Sequence, residues 1–128
     1  MTRPRSHLRE AGKQLQRAIA ANEANRPVWA WFAAHSAAEH ALKALRLEHG
    51  LNGNERILGR LLGDLPDGME VPDELLEQAA VLDSHYLPVE LQDHPRDVVR
   101  PNGAPPSDFA IHFAARILDL VHARLDEQ

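Results

Sequence analysis

Trp29-Ala30-Trp31-Phe32-Ala33-Ala34-His35-Ser36-Ala37-Ala38-Glu39-His40-Ala41-Leu42-Lys43-Ala44-Leu45 is the stretch whose reading decides the fold. Ala30, Ala34, Ala37, Ala41 and Ala44 recur at alternating steps of four and three, which aligns them along one side of an α-helix. A second stripe, Trp31, Ala38, Leu42 and Leu45, lies beside the first, so both flanks of the helix are apolar, as in the central helix of a bundle. Asn25-Arg26-Pro27 opens this helix, with Pro27 suited to a first turn where its missing N–H has no partner to lose. His49-Gly50 closes it, because Gly tolerates the left-handed conformation common at helix ends. The spacing predicts a helix over 27–49.

Working outward, Leu8, Ala11, Leu15 and Ala18 predict an earlier helix over 6–24, interrupted only by Gly12. Leu58, Leu61, Leu62 and Leu65 predict a short third helix over 55–65. A fourth starts at Pro72-Asp73, carries Leu75, Leu76, Ala79 and Leu82, and is expected to stop before Pro88. Residues 87–106 hold five of the nine prolines and read as a long loop. Ser107 is expected to cap the last helix, 108–126, whose seam is Ile111, Ala114, Leu118, Val121 and Leu125. No run of alternating β-branched residues suggests a strand. The fold class is therefore all-α: an antiparallel up-and-down bundle of about five helices, four long and one short, in a single domain over 1–128.

Composition narrows the function. With 128 residues, 44% of them hydrophobic and 26% charged, the chain suits one globular core. Cysteine is absent, which removes disulfides and thiolate metal sites and fits a reducing, cytoplasmic setting. No stretch approaches the roughly 18 consecutive apolar residues of a membrane span, and the charged N-terminus is not followed by a signal-like apolar run. A net charge of −5 disfavours non-specific nucleic-acid binding, so any RNA or nucleotide contact must use a local basic pocket.

Several residues stand out as site candidates. Glu39 and Lys43 are four apart with the acid first, which reads either as a surface pair or as a polar stripe, with His35 and His40, that binds phosphate through Lys43. Eight His residues invite a metal reading, but His35-Ser-Ala-Ala-Glu39-His40 fits no zinc helix, so neither metal nor cofactor is expected. Trp29, Trp31 and Phe32 read as core residues or as a base-stacking platform. Trp29 and Trp31 are two apart and cannot share a helix face, so one of them is expected at the rim or in an interface. Asp93, Arg96 and Arg100 combine charge with prolines in the long loop, which reads either as a binding loop or as a solvated connection.

The segment Trp31 to Leu45, followed by Ile57-Leu58-Gly59-Arg60-Leu61-Leu62 and by Leu82-Asp83-Ser84-His85-Tyr86-Leu87-Pro88, resembles the second, third and fourth helices of HEPN domains over nearly the whole chain. Where many relatives continue with Arg-Tyr-Pro-Asp, this chain has Glu90-Leu91-Gln92-Asp93, and Arg56 stands where a His often opens the short helix. His35-Ser36 replaces a Gln pair. The resemblance implies a ligand-contacting loop around Tyr86 and Asp93, with its phosphate contacts either lost in this chain or moved to Arg96 and Arg100. It implies a homodimer and association with a nucleotide or RNA. It further implies a small nucleotidyltransferase as protein partner, in a toxin–antitoxin-like pair. The ribonuclease members of that family carry an Arg and a His a few residues apart, and Arg116 with His122 is the match here, although six helical steps set the two side chains about 120° apart. The expected function is a nucleotide- or RNA-associated binding and interaction module. Two alternatives stay open: a metal-independent ribonuclease toxin using Arg116 and His122, and a dimerisation domain without ligand.

Overall fold

The computed structural model describes residues 4–51, 57–63, 65, 70–90 and 106–126, the side chains of residues 4, 84–90 and 126 excepted. Five helices account for these residues: α1 Pro4–Glu23, α2 Pro27–Glu48, α3 Leu58–Gly63, α4 Asp73–Glu90 and α5 Ser107–Asp126. Four are long and one is short, and no strand occurs among the described residues. None of the helices is long and apolar enough to cross a membrane.

α2 sits at the centre, packed mainly against α1 and α5, with α3 and α4 packed on each other and more lightly against α2. Ala30, Ala34, Ala37, Ala41 and Ala44 are all fully buried, as are Ala38, Leu42 and Leu45 of the second stripe. Small side chains let neighbouring backbones approach, and the volume is filled from the facing helices by Phe113, Ile117 and Val121 of α5 and by Ala11 and Ala18 of α1. Trp31 is 2% exposed and Trp29 is 42% exposed, so the two tryptophans divide between core and rim as their spacing requires.

Both long-helix ends follow the chemistry of a left-handed cap. Asn25 takes φ 62°, the Arg26 N–H donates to Ala21 C=O at 2.8 Å, and the Asn25 N–H donates to Asn22 C=O at 3.1 Å. Asn25 thus closes α1 as well as preceding α2, and only three residues separate the helices, which forces them antiparallel. Gly50, at φ 74°, does the same for α2, with the Leu51 N–H donating to Arg46 C=O.

α1 starts two residues earlier than expected and α1 and α2 each end one residue earlier; the boundaries of the other three helices differ more instructively. α4 does not stop before Pro88 but runs to Glu90; a helix already propagated over several turns can lose the one N–H that proline lacks and still continue. Residues 87–90 of the expected loop are thus helical, and residues 91–105 lie outside the described residues. α3 is shorter than expected, its first hydrogen bonds accepted by the Ile57 carbonyl. Ser107 is not the cap of α5 but its first residue: the Pro106 carbonyl accepts from Phe109 and Ala110 instead. The freed Ser107 hydroxyl donates to Asn22 Oδ1 at 2.7 Å, while Asn22 Nδ2 donates to Asp108 Oδ1 at 2.8 Å. One amide at the end of α1 thereby fixes the start of α5.

The packing gives a contrast that equilibrium denaturation can measure. Ala41→Leu forces three extra carbons into a fully buried site and is expected to cost about 1–3 kcal/mol. Gly12→Ala adds a methyl where no atom lies within 4 Å, in a helix interior, and is expected to stabilise by about 0.5–1 kcal/mol.

Candidate functional site

Polar groups enter the buried interior of α2 where it carries His35, Glu39 and Lys43 one turn apart. His35 is fully buried, its ring stacked on Trp31 with centroids 5.7 Å apart. Its Nε2 stands 3.7 Å from Asp83 Oδ1 of α4, and its Nδ1 stands 3.9 Å from Glu39 Oε1. Glu39 Oε2 in turn accepts from Lys43 Nζ at 3.0 Å. At the other end, Asp83 receives the first two N–H groups of α3, Leu58 to Oδ1 at 2.9 Å and Gly59 to Oδ2 at 2.8 Å. The result is a tract of alternating charge and dipole: the α3 N-terminus, Asp83, His35, Glu39, Lys43. A carboxylate facing exposed helix N–H groups is held by charge-assisted hydrogen bonds as well as by the helix dipole. The Glu39 and Lys43 side chains are only 10% and 14% exposed, so the surface-pair reading of these residues gives way to a largely buried pair held from behind.

Where this tract reaches the surface it meets a second cluster. His7 of α1 and His40 of α2 approach with their Nδ1 atoms 3.1 Å apart, one ring donating and the other accepting. Burial lowers the pKa of both rings. Lys43 pushes in the same direction, and His40 also lowers the value of His7, while Glu39 and Glu10 partly oppose the effect at His40. Glu10 itself is held below the usual carboxylate range, chiefly by the hydrogen bond from Gln14 Nε2 at 3.0 Å.

Farther along the same α1–α2 seam lies a groove of about 610 Å³. Ala20, Ala21, Ala24 and Ala33 supply small side chains to its lining; Trp29 and Phe32 supply aromatic surface, and Arg17 and Arg26 supply charge. None of the lining residues is acidic. In a chain with a net charge of −5 the two guanidiniums give this groove a local positive character, with Arg17 also 3.9 Å from Glu10 Oε1 of the same helix.

The structure brings some of the sequence candidates together and separates others. Glu39 and Lys43 meet, joined by His35 and by Asp83, which sequence reasoning did not select. Tyr86 lies on α4, one turn beyond Asp83, with its side chain outside the described part. Asp93, Arg96 and Arg100 lie outside the described residues. Arg116 is turned toward α4, its guanidinium 3.1 Å from Glu74 and 3.5 Å from Gln78, whereas His122 is exposed on another face of α5. Among the described residues no group of three or more His, Asp or Glu side chains is arranged to hold a metal ion. His7, Arg17 and Arg26 were missed; the one signal available was the polar row His7, Glu10, Gln14, Arg17 on the first helix.

Comparison with known proteins places this geometry in context. Residues 4–123 match the HEPN domain family. Among solved structures, TT1696 from Thermus thermophilus is similar, with 33% identity and a TM-score of 0.78 over 96% of this chain and 98% of that one. The archaeal HEPN homologue ST0689 is 25% identical with a TM-score of 0.74, covering 97% of this chain and 98% of its own. A HEPN domain protein from Thermotoga maritima is also 25% identical with a TM-score of 0.74, over 96% and 99% of the two chains. No curated protein matches.

Two outcomes follow from the site. Asp83→Asn keeps the shape but removes the charge that faces the α3 N–H groups and His35, and is expected to lower stability by about 1–3 kcal/mol in denaturant unfolding. His7 and His40 bind a proton more readily unfolded than folded, because their folded values lie below the unfolded value of about 6.5. Their contribution to stability is complete above that value and declines as pH falls through it toward the lower folded values. His7→Gln should therefore flatten the loss of melting temperature between neutral and mildly acidic pH, and an unchanged slope would contradict this.

Proposed function

Since the chain belongs to the HEPN domain family, we propose that it serves as a nucleotide- or RNA-binding module and not as a self-sufficient catalyst. The observation that carries this reading is the α1–α2 groove, in which an exposed Trp29 and a partly buried Phe32 stand beside Arg17 and Arg26 with no acidic residue in the lining. Flat aromatic faces stack on bases of any sequence, and Arg recognises phosphate oxygens with paired donors. A volume of about 610 Å³ suits a ligand of nucleotide size. The small alanines beside the tryptophan leave room for a ring to slide against it.

The non-catalytic part of the reading is supported by α5. Arg116 is engaged by Glu74 and Gln78 while His122 points elsewhere, so the pair does not converge on one reacting phosphate. The interaction role completes the proposal: the chain forms a homodimer and takes a small nucleotidyltransferase as protein partner in a toxin–antitoxin-like pair, a reading motivated by its family. Light scattering and copurification from native extract test these two associations directly.

The binding itself is tested by fluorescence. Titration with ATP, GTP or a short RNA should quench the emission of the exposed Trp29 and raise the melting temperature, since a ligand of the folded state stabilises it by RT ln(1 + [L]/Kd). Trp29→Ala should weaken binding about tenfold or more, the usual loss of one stacked base. The RNA should be recovered intact. Cleavage by the wild type that His122→Ala abolishes would overturn the proposal in favour of a ribonuclease.

A further inference from the structure

α1 and α2 run antiparallel, so the residue rows that line the groove continue past it toward the histidine pair. On α1 the row is Arg17, Gln14, Glu10, His7; on α2 it is Phe32, Ser36, His40, Lys43, each in steps of three or four. Gln14 and Ser36 still belong to the groove, and the 3.1 Å contact of His7 with His40 registers the two rows beyond it. From Trp29 to Lys43 the seam runs about 21 Å along the helix axis. Aromatic rings and two guanidiniums mark one end; two imidazoles and an ammonium mark the other. One nucleotide seated at Trp29 is far too short to touch both.

We propose that the seam takes a single-stranded oligonucleotide, with one base against Trp29 and Phe32, its phosphate between Arg17 and Arg26, and a later phosphate on His40, His7 and Lys43. This rests on the binding reading above and assigns it a length and a direction. Lys43 gives one N–H to Glu39 and has two left to offer. The groups that face the histidine pair are Glu10 from α1 and Glu39 and Lys43 from α2. With both rings neutral, Glu39 is matched by Lys43 and Glu10 by Arg17, 3.9 Å away, so the second end has little net charge to hold an anion. A proton taken up by the pair makes this end positive, and a phosphate in turn favours that proton. The second contact therefore strengthens as pH falls below the ordinary imidazole value of about 6.5.

Two probes without terminal phosphates, whose diesters do not titrate in this range, separate the ends: a dinucleoside monophosphate and a single-stranded hexanucleotide. Trp29 quenching gives both affinities at pH 7.5 and at pH 6.0. The preference for the hexanucleotide is expected to rise about tenfold at the lower pH, equivalent to about 1.4 kcal/mol. His40→Gln, checked for folding by circular dichroism, should remove that rise, and Lys43→Gln should reduce the preference at both pH values. Equal, pH-independent binding of the two probes would overturn the two-ended seam while leaving the binding reading intact. Binding of neither probe would overturn both. A dimer that Trp29→Ala converts to monomer, in a protein that binds no oligonucleotide, would make the seam a contact between copies of the chain and overturn the proposal equally.

Discussion

The close approach of α1 and α5 to the alanine side of α2 is the constraint on which the rest of this structure depends. Alanine loses no side-chain entropy on burial and is the best helix former, so a helix rich in it is stable and thin at once. Thinness is what matters here: five alanines of one stripe are fully buried, and the neighbours supply the bulk. Phe113, Ile117 and Val121 of α5 are among the largest fully buried side chains. Because α2 touches all the other helices, its position sets theirs.

Against that background the tract from Asp83 to Lys43 is an expense. Burying charged and polar groups in an apolar core disfavours folding unless each finds a partner. Here every member faces an opposite charge or dipole, which limits the cost without making the tract a strong source of stability. What it secures is placement. Asp83 ties the start of α3 to α4 and reaches the centre of α2 through His35, so three helices share one polar junction. The ammonium at its outer end is thereby held in one place, beside the histidine pair, in a way that a solvated lysine on a helix surface is not.

How much of this was legible in the sequence depends on the kind of signal. The helices and their buried faces follow from periodicity, and the residues marked as stripes in α2 are buried without exception. Boundaries were less legible. Ser107 looks like a cap by residue type, but its hydroxyl is used between helices, which depends on Asn22 arriving from elsewhere in the chain. Pro88 reads as a stop by local sterics alone and does not act as one. For the site, Glu39 and Lys43 were visible because they are one helical turn apart. Asp83 was not, since its partners lie 24 and 25 residues away, on α3, and only the fold joins them. The seam was half visible: the polar row of the first helix and the tryptophan at the rim could both be read, but their apposition could not.

The amide of Asn22 bridges residues 85 and 86 positions later in the chain. Its geometry pins the first turn of α5 independently of whatever connects α4 to it. The entropy of closing such a long loop rises only with the logarithm of its length, about 0.6 kcal/mol for each doubling. Evolution is therefore free to lengthen, shorten or rewrite the connection from 91 to 105 at little thermodynamic penalty, and the bundle offers that segment as a site for divergence while its own register is preserved.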